Sequence, residues 1–175
     1  MAEGSRQVFS GRIVSLSVED VRLPNGEEVQ LEIVRHPGGA AVVAVDDAGR
    51  VCLLRQYRHA AGGWLWELPA GKLDGSEPPA ETARRELAEE AGVAAGNWVE
   101  LGRVVSSPGV FTEVVHLYLA RSLTPAPAAR EHGEVFETHW VPLPEAVRRA
   151  LSGEIVDGKT VIGLLRAAAV AGPRG

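Results

Sequence analysis

Residues 71–93 read GKLDGSEPPAETARRELAEEAGV, and the remainder of the chain is best understood outward from them. The stretch opens with turn formers (Gly71, Asp74, Gly75, Ser76) and passes through Pro78 and Pro79 into a helix-forming run that stops at Gly92. Proline disfavours the α conformation in the residue before it, so Pro78 belongs at the cap and Pro79 at the first helical position. Ala80, Ala83, Leu87 and Ala91 then recur at three- and four-residue steps as one apolar stripe, and Gly92 supplies the C-terminal stop. The other face carries Glu81, Arg84, Arg85, Glu86, Glu89 and Glu90.

At about 100° per residue, Glu86 and Glu90 lie roughly 40° apart around this helix, with Glu89 about 60° from Glu86 on the other side. Three carboxylates therefore project into one sector. Like charges so placed repel by roughly a few tenths of a kcal/mol per pair in water, and by more when desolvated. One reading is a solvated acidic face, partly neutralised by Arg84 and Arg85. The other is a ligand set for a divalent cation, whose charge removes the conflict. Hard carboxylate oxygens suit Mg²⁺ or Mn²⁺ rather than zinc.

The wider spacing favours the second reading. Gly71, five residues, Glu77, seven residues, Arg85-Glu86-Leu87, one residue, Glu89-Glu90, one residue and Gly92-Val93 follow in order. This pattern resembles the signature box of the Nudix hydrolase family at every fixed position, over 23 residues. The resemblance implies hydrolysis of a nucleoside diphosphate linked to another group, with metal held by Glu86, Glu89 and Glu90. It also implies that Arg85 pairs with a glutamate and holds it in place.

Composition bounds the remaining choices. A chain of 175 residues makes one domain of ordinary size, able to bury ~70% of its unfolded surface. Its 45% hydrophobic content fits a globular protein, and no run of 18 apolar residues predicts a membrane span. The N-terminal MAEGSRQVFSGR lacks the apolar core of a signal peptide. Cys52 is the sole cysteine, which excludes an internal disulfide and suits a reducing cytoplasm. Its setting in the run VCLL predicts a buried, inert thiol. A net charge of −5 argues against a general nucleic-acid surface, so an anionic substrate needs local arginines and bound metal.

Residues 7–36 read as strands, with Asn25-Gly26 marking a two-residue hairpin turn. This N-terminal β segment ends at Pro37-Gly38-Gly39 and has little apolar content of its own. Ala40–Val45 and Val51–Tyr57 are two apolar strands joined by the turn Asp46-Asp47-Ala48-Gly49. The second runs into Arg55-Gln56-Tyr57-Arg58, whose two arginines sit at a strand end and suit bidentate phosphate contact. Trp98–Val105 and Val114–Leu119 read as further strands, and His116 as a face residue of the latter. Leu123–Ala129 (LTPAPAA) reads as a connector without periodicity. Pro144–Gly153 and Asp157–Val170 read as helices.

Several of these positions are similar to the ADP-ribose pyrophosphatase branch of the same family. That likeness implies substrate binding by Arg55 or Arg58, by Glu67 in Glu67-Leu68-Pro69-Ala70-Gly71, and by the downstream Pro108, sixteen residues beyond Gly92. It implies a backbone metal ligand at the carbonyl of Ala70, and a nucleobase contact by Phe111, displaced one place by Val110. Trp64 and Trp66 are divided evenly between a ligand role and anchors of core or interface. A loop glutamate, Glu134 first and Glu131 second, is implied as the group that activates water, with Glu89 as a further candidate.

The expected fold is the Nudix α/β/α sandwich, a mixed curved sheet between helices. Residues 1–38 form an N-terminal β extension that builds a homodimer, and residues 39–175 form the hydrolase domain. The expected activity is Mg²⁺-dependent hydrolysis of a nucleoside diphosphate sugar, first of all ADP-ribose to AMP and ribose 5-phosphate. Another sugar nucleotide such as GDP-mannose or ADP-glucose is the alternative substrate. A non-catalytic ligand-binding regulator is the alternative from another class, and the complete set Glu86, Glu89 and Glu90 argues against it.

Overall fold

The computed structural model describes residues 4–128 and 135–170. Its centre is β4 (Gly39–Ala44), every residue of which is buried. A strand exposes alternate side chains to opposite faces, so a strand apolar at every position must be covered on both. Ala40, Val42 and Ala44 face one apolar cluster, with Ala83 and Leu87 of helix α1 (Pro79–Ala91). Ala41 and Val43 face the other, with Leu164 and Ala167 of α3 (Gly158–Val170) and Ala146 of α2 (Leu143–Leu151).

Around β4 the sheet runs in the order β7 (Ala70–Lys72), β4, β9 (Val114–Pro125), β8 (Val93–Val105). The β4–β9 pair is parallel and the other two pairs are antiparallel, so the sheet is mixed. A second antiparallel sheet has β5 (Arg50–Arg58) between β10 (Phe136–Pro142) and β6 (Gly63–Glu67). Helices cover both faces of the mixed sheet, which is the expected α/β/α arrangement.

The N-terminal strands β1 (Ser5–Ser10), β2 (Ser15–Arg22) and β3 (Glu28–Arg35) form a separate antiparallel sheet. It is stitched to the main body at the end of β3, where Val34 N–H donates to the Val110 carbonyl (2.7 Å) and Thr112 N–H to the Val34 carbonyl (2.9 Å). Val8, Phe9 and Ile13 on this sheet and its first loop are each at least half exposed.

Three local expectations change. The β2–β3 turn is not a two-residue Asn-Gly turn. Gly26 N–H donates to the Leu23 carbonyl (2.9 Å), so Pro24 and Asn25 are the central residues and Gly26 follows with φ 89°. Proline locks φ near −65° and fits the first central position of an ordinary turn, which pushes the left-handed residue one place on. Leu123–Pro125 is strand rather than connector, pairing with Val93–Ala95. The β4–β9 pairing ends at Ala120, so this tail of β9 has an open side where proline breaks no ladder. Finally, β8 begins at Val93, directly after the helix stop, rather than at Trp98.

Candidate active site

The acidic helix owes its position to its two ends. Pro78 is extended (φ −61°, ψ 140°), Pro79 opens the helix, and Gly92 closes it in the left-handed conformation with its N–H on the Ala88 carbonyl. Between them, one i, i+4 row is buried that the apolar stripe does not include: Thr82, Glu86 and Glu90, at 0, 9 and 5% exposure. This row faces β7. The Ala70 N–H donates to Glu90 Oε2 at 2.7 Å. A Cβ added to Gly71 would lie 1.8 Å from Glu86 Oε1, so the carboxylate fills the space a side chain would take. Glycine at this position is thus explained by close approach rather than by a turn.

Arg85 binds the remaining acidic groups together. Its guanidinium donates to Glu86 Oε1 (2.7 Å), Glu89 Oε2 (3.1 Å) and Glu77 Oε2 (3.1 Å). The hydrogen bond from Arg85, with a second from Thr82 (2.8 Å), holds the Glu77 carboxyl below its usual range. Burial works against the charge on Arg85, but its hydrogen bond to Glu77 and the charge of Glu86 raise its pKa above the ordinary arginine value. Among the described residues, no three His, Cys, Asp or Glu side chains stand in a metal-holding cluster as arranged here. The donor chemistry nevertheless fits a hard divalent ion, since the groups brought together are all oxygen donors and Gly71 leaves Glu86 room beside the strand. Cys52 is fully buried, and desolvation with the nearby charge of Glu90 pushes its thiol up to about 12.

A cavity of about 810 Å³ opens beside this helix, with Glu86, Gly71 and Lys72 at one part of its wall and Arg58, Glu67, Asp157 and Lys159 at another. Glu67 is 2% exposed and accepts a bidentate pair from Arg58, 2.7 Å from Nε and 2.9 Å from Nη2. Lys159 Nζ adds a third contact at 2.5 Å. Burial alone pushes the Glu67 carboxyl up, but the Arg58 hydrogen bonds and the Lys159 charge outweigh it and leave its pKa lowered.

Not every predicted residue reaches this cavity. Arg55 and Arg58 do not converge: residues three apart on a strand point to opposite faces. Arg58 lines the cavity, while exposed Arg55 stacks near Trp64 and Trp66, at 5.8 and 6.0 Å from their ring centres. Both tryptophans lie outside the cavity lining, Trp66 against the core and Trp64 exposed. Pro108 is exposed in a turn closed by Phe111 N–H on the Ser107 carbonyl (2.9 Å), and Phe111 sits 5.2 Å from the His36 ring. Neither lines the cavity, although Ser106, Glu113 and His36 do. Glu134 and Glu131 lie outside the described residues.

Sequence reasoning passed over Lys159 and Asp157. Asp157 caps α3, accepting from Thr160 N–H (3.1 Å), and Lys159 sits in the first turn of that helix. The helix macrodipole disfavours a cation there, which was the available signal.

An α/β/α sandwich with a buried pair of helix glutamates held against a glycine strand, beside a cavity lined by arginine and lysine, defines a class of domain that handles anionic ligands. Comparison with known proteins makes the class particular: the NUDIX domain model matches residues 35–161, and the chain belongs to that family. It is 43% identical over 169 residues to an ADP-ribose pyrophosphatase of Mycobacterium tuberculosis, covering 95% of this chain and 82% of that one. An ADP-ribose pyrophosphatase of Bacillus subtilis is 42% identical, covering 88% and 84%. A GDP-mannose pyrophosphatase of Citrobacter koseri is 33% identical, covering 82% and 81%. The fold matches the crystal structure of an ADP compounds hydrolase with a TM-score of 0.81 at 22% identity, over 95% of this chain and 91% of that one.

Proposed function

We propose that the chain is a metal-dependent pyrophosphohydrolase of nucleoside diphosphate sugars, acting first on ADP-ribose to give AMP and ribose 5-phosphate. One observation carries this reading: Glu86 and Glu90 are buried on one row of α1, opposite a glycine that leaves room for a carboxylate, beside a cavity that Arg58 lines. The names of the two ADP-ribose pyrophosphatases, at 43 and 42% identity against 33% for the GDP-mannose enzyme, favour ADP-ribose.

In this reading Glu86, Glu89 and Glu90, with the carbonyl of Ala70, hold Mg²⁺ or Mn²⁺. When bound, the ion neutralises charge on the pyrophosphate and acidifies water. Arg85 fixes Glu86 and Glu89 in their shared sector. Arg58 presents a guanidinium to the phosphates. Glu134 accepts the proton of the attacking water, leaving two phosphomonoesters and no covalent enzyme intermediate. The N-terminal segment, residues 1–38, serves as a dimerisation extension of the catalytic domain, residues 39–175; its exposed Val8, Phe9 and Ile13 support that role.

The test is a panel of nucleotide sugars incubated with the protein and Mg²⁺, with products identified by mass. Preferential release of AMP and ribose 5-phosphate from ADP-ribose is expected. A preference for GDP-mannose would select the alternative substrate, and no turnover of any member would remove the reading. Glu86→Gln and Glu90→Gln should each lower turnover by ~10²-fold or more at saturating Mg²⁺ while the circular dichroism spectrum is unchanged.

A further inference from the structure

We infer that Lys159 is a positioning residue for Arg58, acting through the buried carboxylate of Glu67. The inference rests on the hydrolase reading above and names a residue that reading does not use. Arg58 has a long side chain, 40% exposed, that Glu67 holds by Nε and Nη2. That bidentate seat leaves the Nη1 edge for a ligand in the cavity. The seat is as rigid as Glu67 itself, and the same Oε2 that accepts from Arg58 Nη2 accepts from Lys159 Nζ at 2.5 Å.

Lys159 is in turn held from both sides. Its Nζ lies 3.0 Å from Asp157 Oδ2, and that oxygen also accepts from Thr160 N–H and Oγ1 at 3.1 and 2.5 Å. Thr160 Oγ1 accepts from the Leu68 N–H at 2.9 Å, one residue beyond Glu67. The contacts close a ring, Glu67–Lys159–Asp157–Thr160–Leu68, that locks the start of α3 to the end of β6. Arg58 stands on its rim, facing the cavity. Without Lys159, Glu67 keeps a single cationic partner and the two swing together, so Arg58 loses its fixed aim. A misplacement of about 1 Å at a substrate-positioning group can cost ~10²-fold.

The experiment is a double-mutant cycle on the full chain with ADP-ribose and Mg²⁺, using Lys159→Met, Lys159→Arg, Arg58→Ala and the pair Arg58→Ala/Lys159→Met. Lys159→Met is expected to raise KM by ~10-fold or more with kcat within about three-fold of the parent. Lys159→Arg, which keeps the cation, should recover most of the loss. In the Arg58→Ala background, Lys159→Met should add nothing further to KM, because the group it aims is gone, while the melting temperature falls as Glu67 is left buried without a cation. Effects that multiply would make Lys159 an independent contact and overturn the inference. An unchanged KM in Lys159→Met, or losses in KM and kcat that merely follow a lowered melting temperature, would overturn it as well. A parent chain inactive on every nucleotide sugar removes the hydrolase reading and this inference with it. An active parent with a silent Lys159→Met removes the inference alone.

Discussion

Gly71 and Glu67 show how much a single position can depend on its neighbours. At Gly71 the missing side chain is occupied by the Glu86 carboxylate, with a Cβ position only 1.8 Å from Oε1. Gly71→Ala must therefore displace that carboxylate, and its neighbour β4 is fully buried and leaves the backbone little freedom. Turnover is expected to fall by ~10²-fold or more, with a stability loss of about 1–3 kcal/mol in urea titration. At Glu67 the folded pKa is lowered, so the stability it contributes is complete at neutral pH and is lost as pH falls through the depressed value, below the ordinary glutamate value of about 4.3. Glu67→Gln removes this linkage. Chemical denaturation at pH 7 and pH 3 should show a smaller acid-induced loss in the variant than in the parent, and equal losses would contradict the assignment.

Elements are placed by the residues they bring close together. Helix α3 crosses β4 and the end of β6 at Gly163, where a Cβ would meet Leu68 Cδ1 at 2.7 Å and Val43 Cγ2 at 3.2 Å. By propensity alone, Gly163→Ala should stabilise a helix by about 1 kcal/mol. Here the neighbours are buried core side chains that must shift, and overpacking of about 1–3 kcal/mol is expected to outweigh the gain. A lowered urea midpoint is expected, and a raised one would show that α3 has slack against the sheet. Helix α1 follows the same logic in reverse: its caps are local, but Glu86 and Glu90 are seated by β7, where Gly71 leaves room for one and the Ala70 N–H holds the other.

For the whole molecule, the outstanding feature is a three-stranded sheet joined to the main body at one end. A small sheet with Val8, Phe9 and Ile13 exposed gains little from burial within its own chain, which fits a surface that a second copy covers. Deleting residues 1–36 also removes Val34, the anchor for Val110 and Thr112, and so frees the loop that leads to Glu113 on the cavity wall. The truncated protein is expected to aggregate or to run as an inactive monomer in size-exclusion chromatography. A soluble, fully active product would show the extension to be dispensable.

What the chain's own order of residues determined was local. Prolines and glycine at the ends of α1, the unbroken apolar run of β4 and the spacing of the acidic box depend on neighbours within a few residues, where backbone sterics and period decide. The tertiary structure decided the rest. It put Arg58 rather than Arg55 on the cavity wall, turned Leu123–Pro125 into an open-sided strand tail, and buried Glu86 and Glu90 against β7. It also carried Lys159 to Glu67 across ninety-two positions of sequence. Such a contact leaves no periodic trace in the chain, because its energy arises when two distant segments desolvate the same carboxylate together.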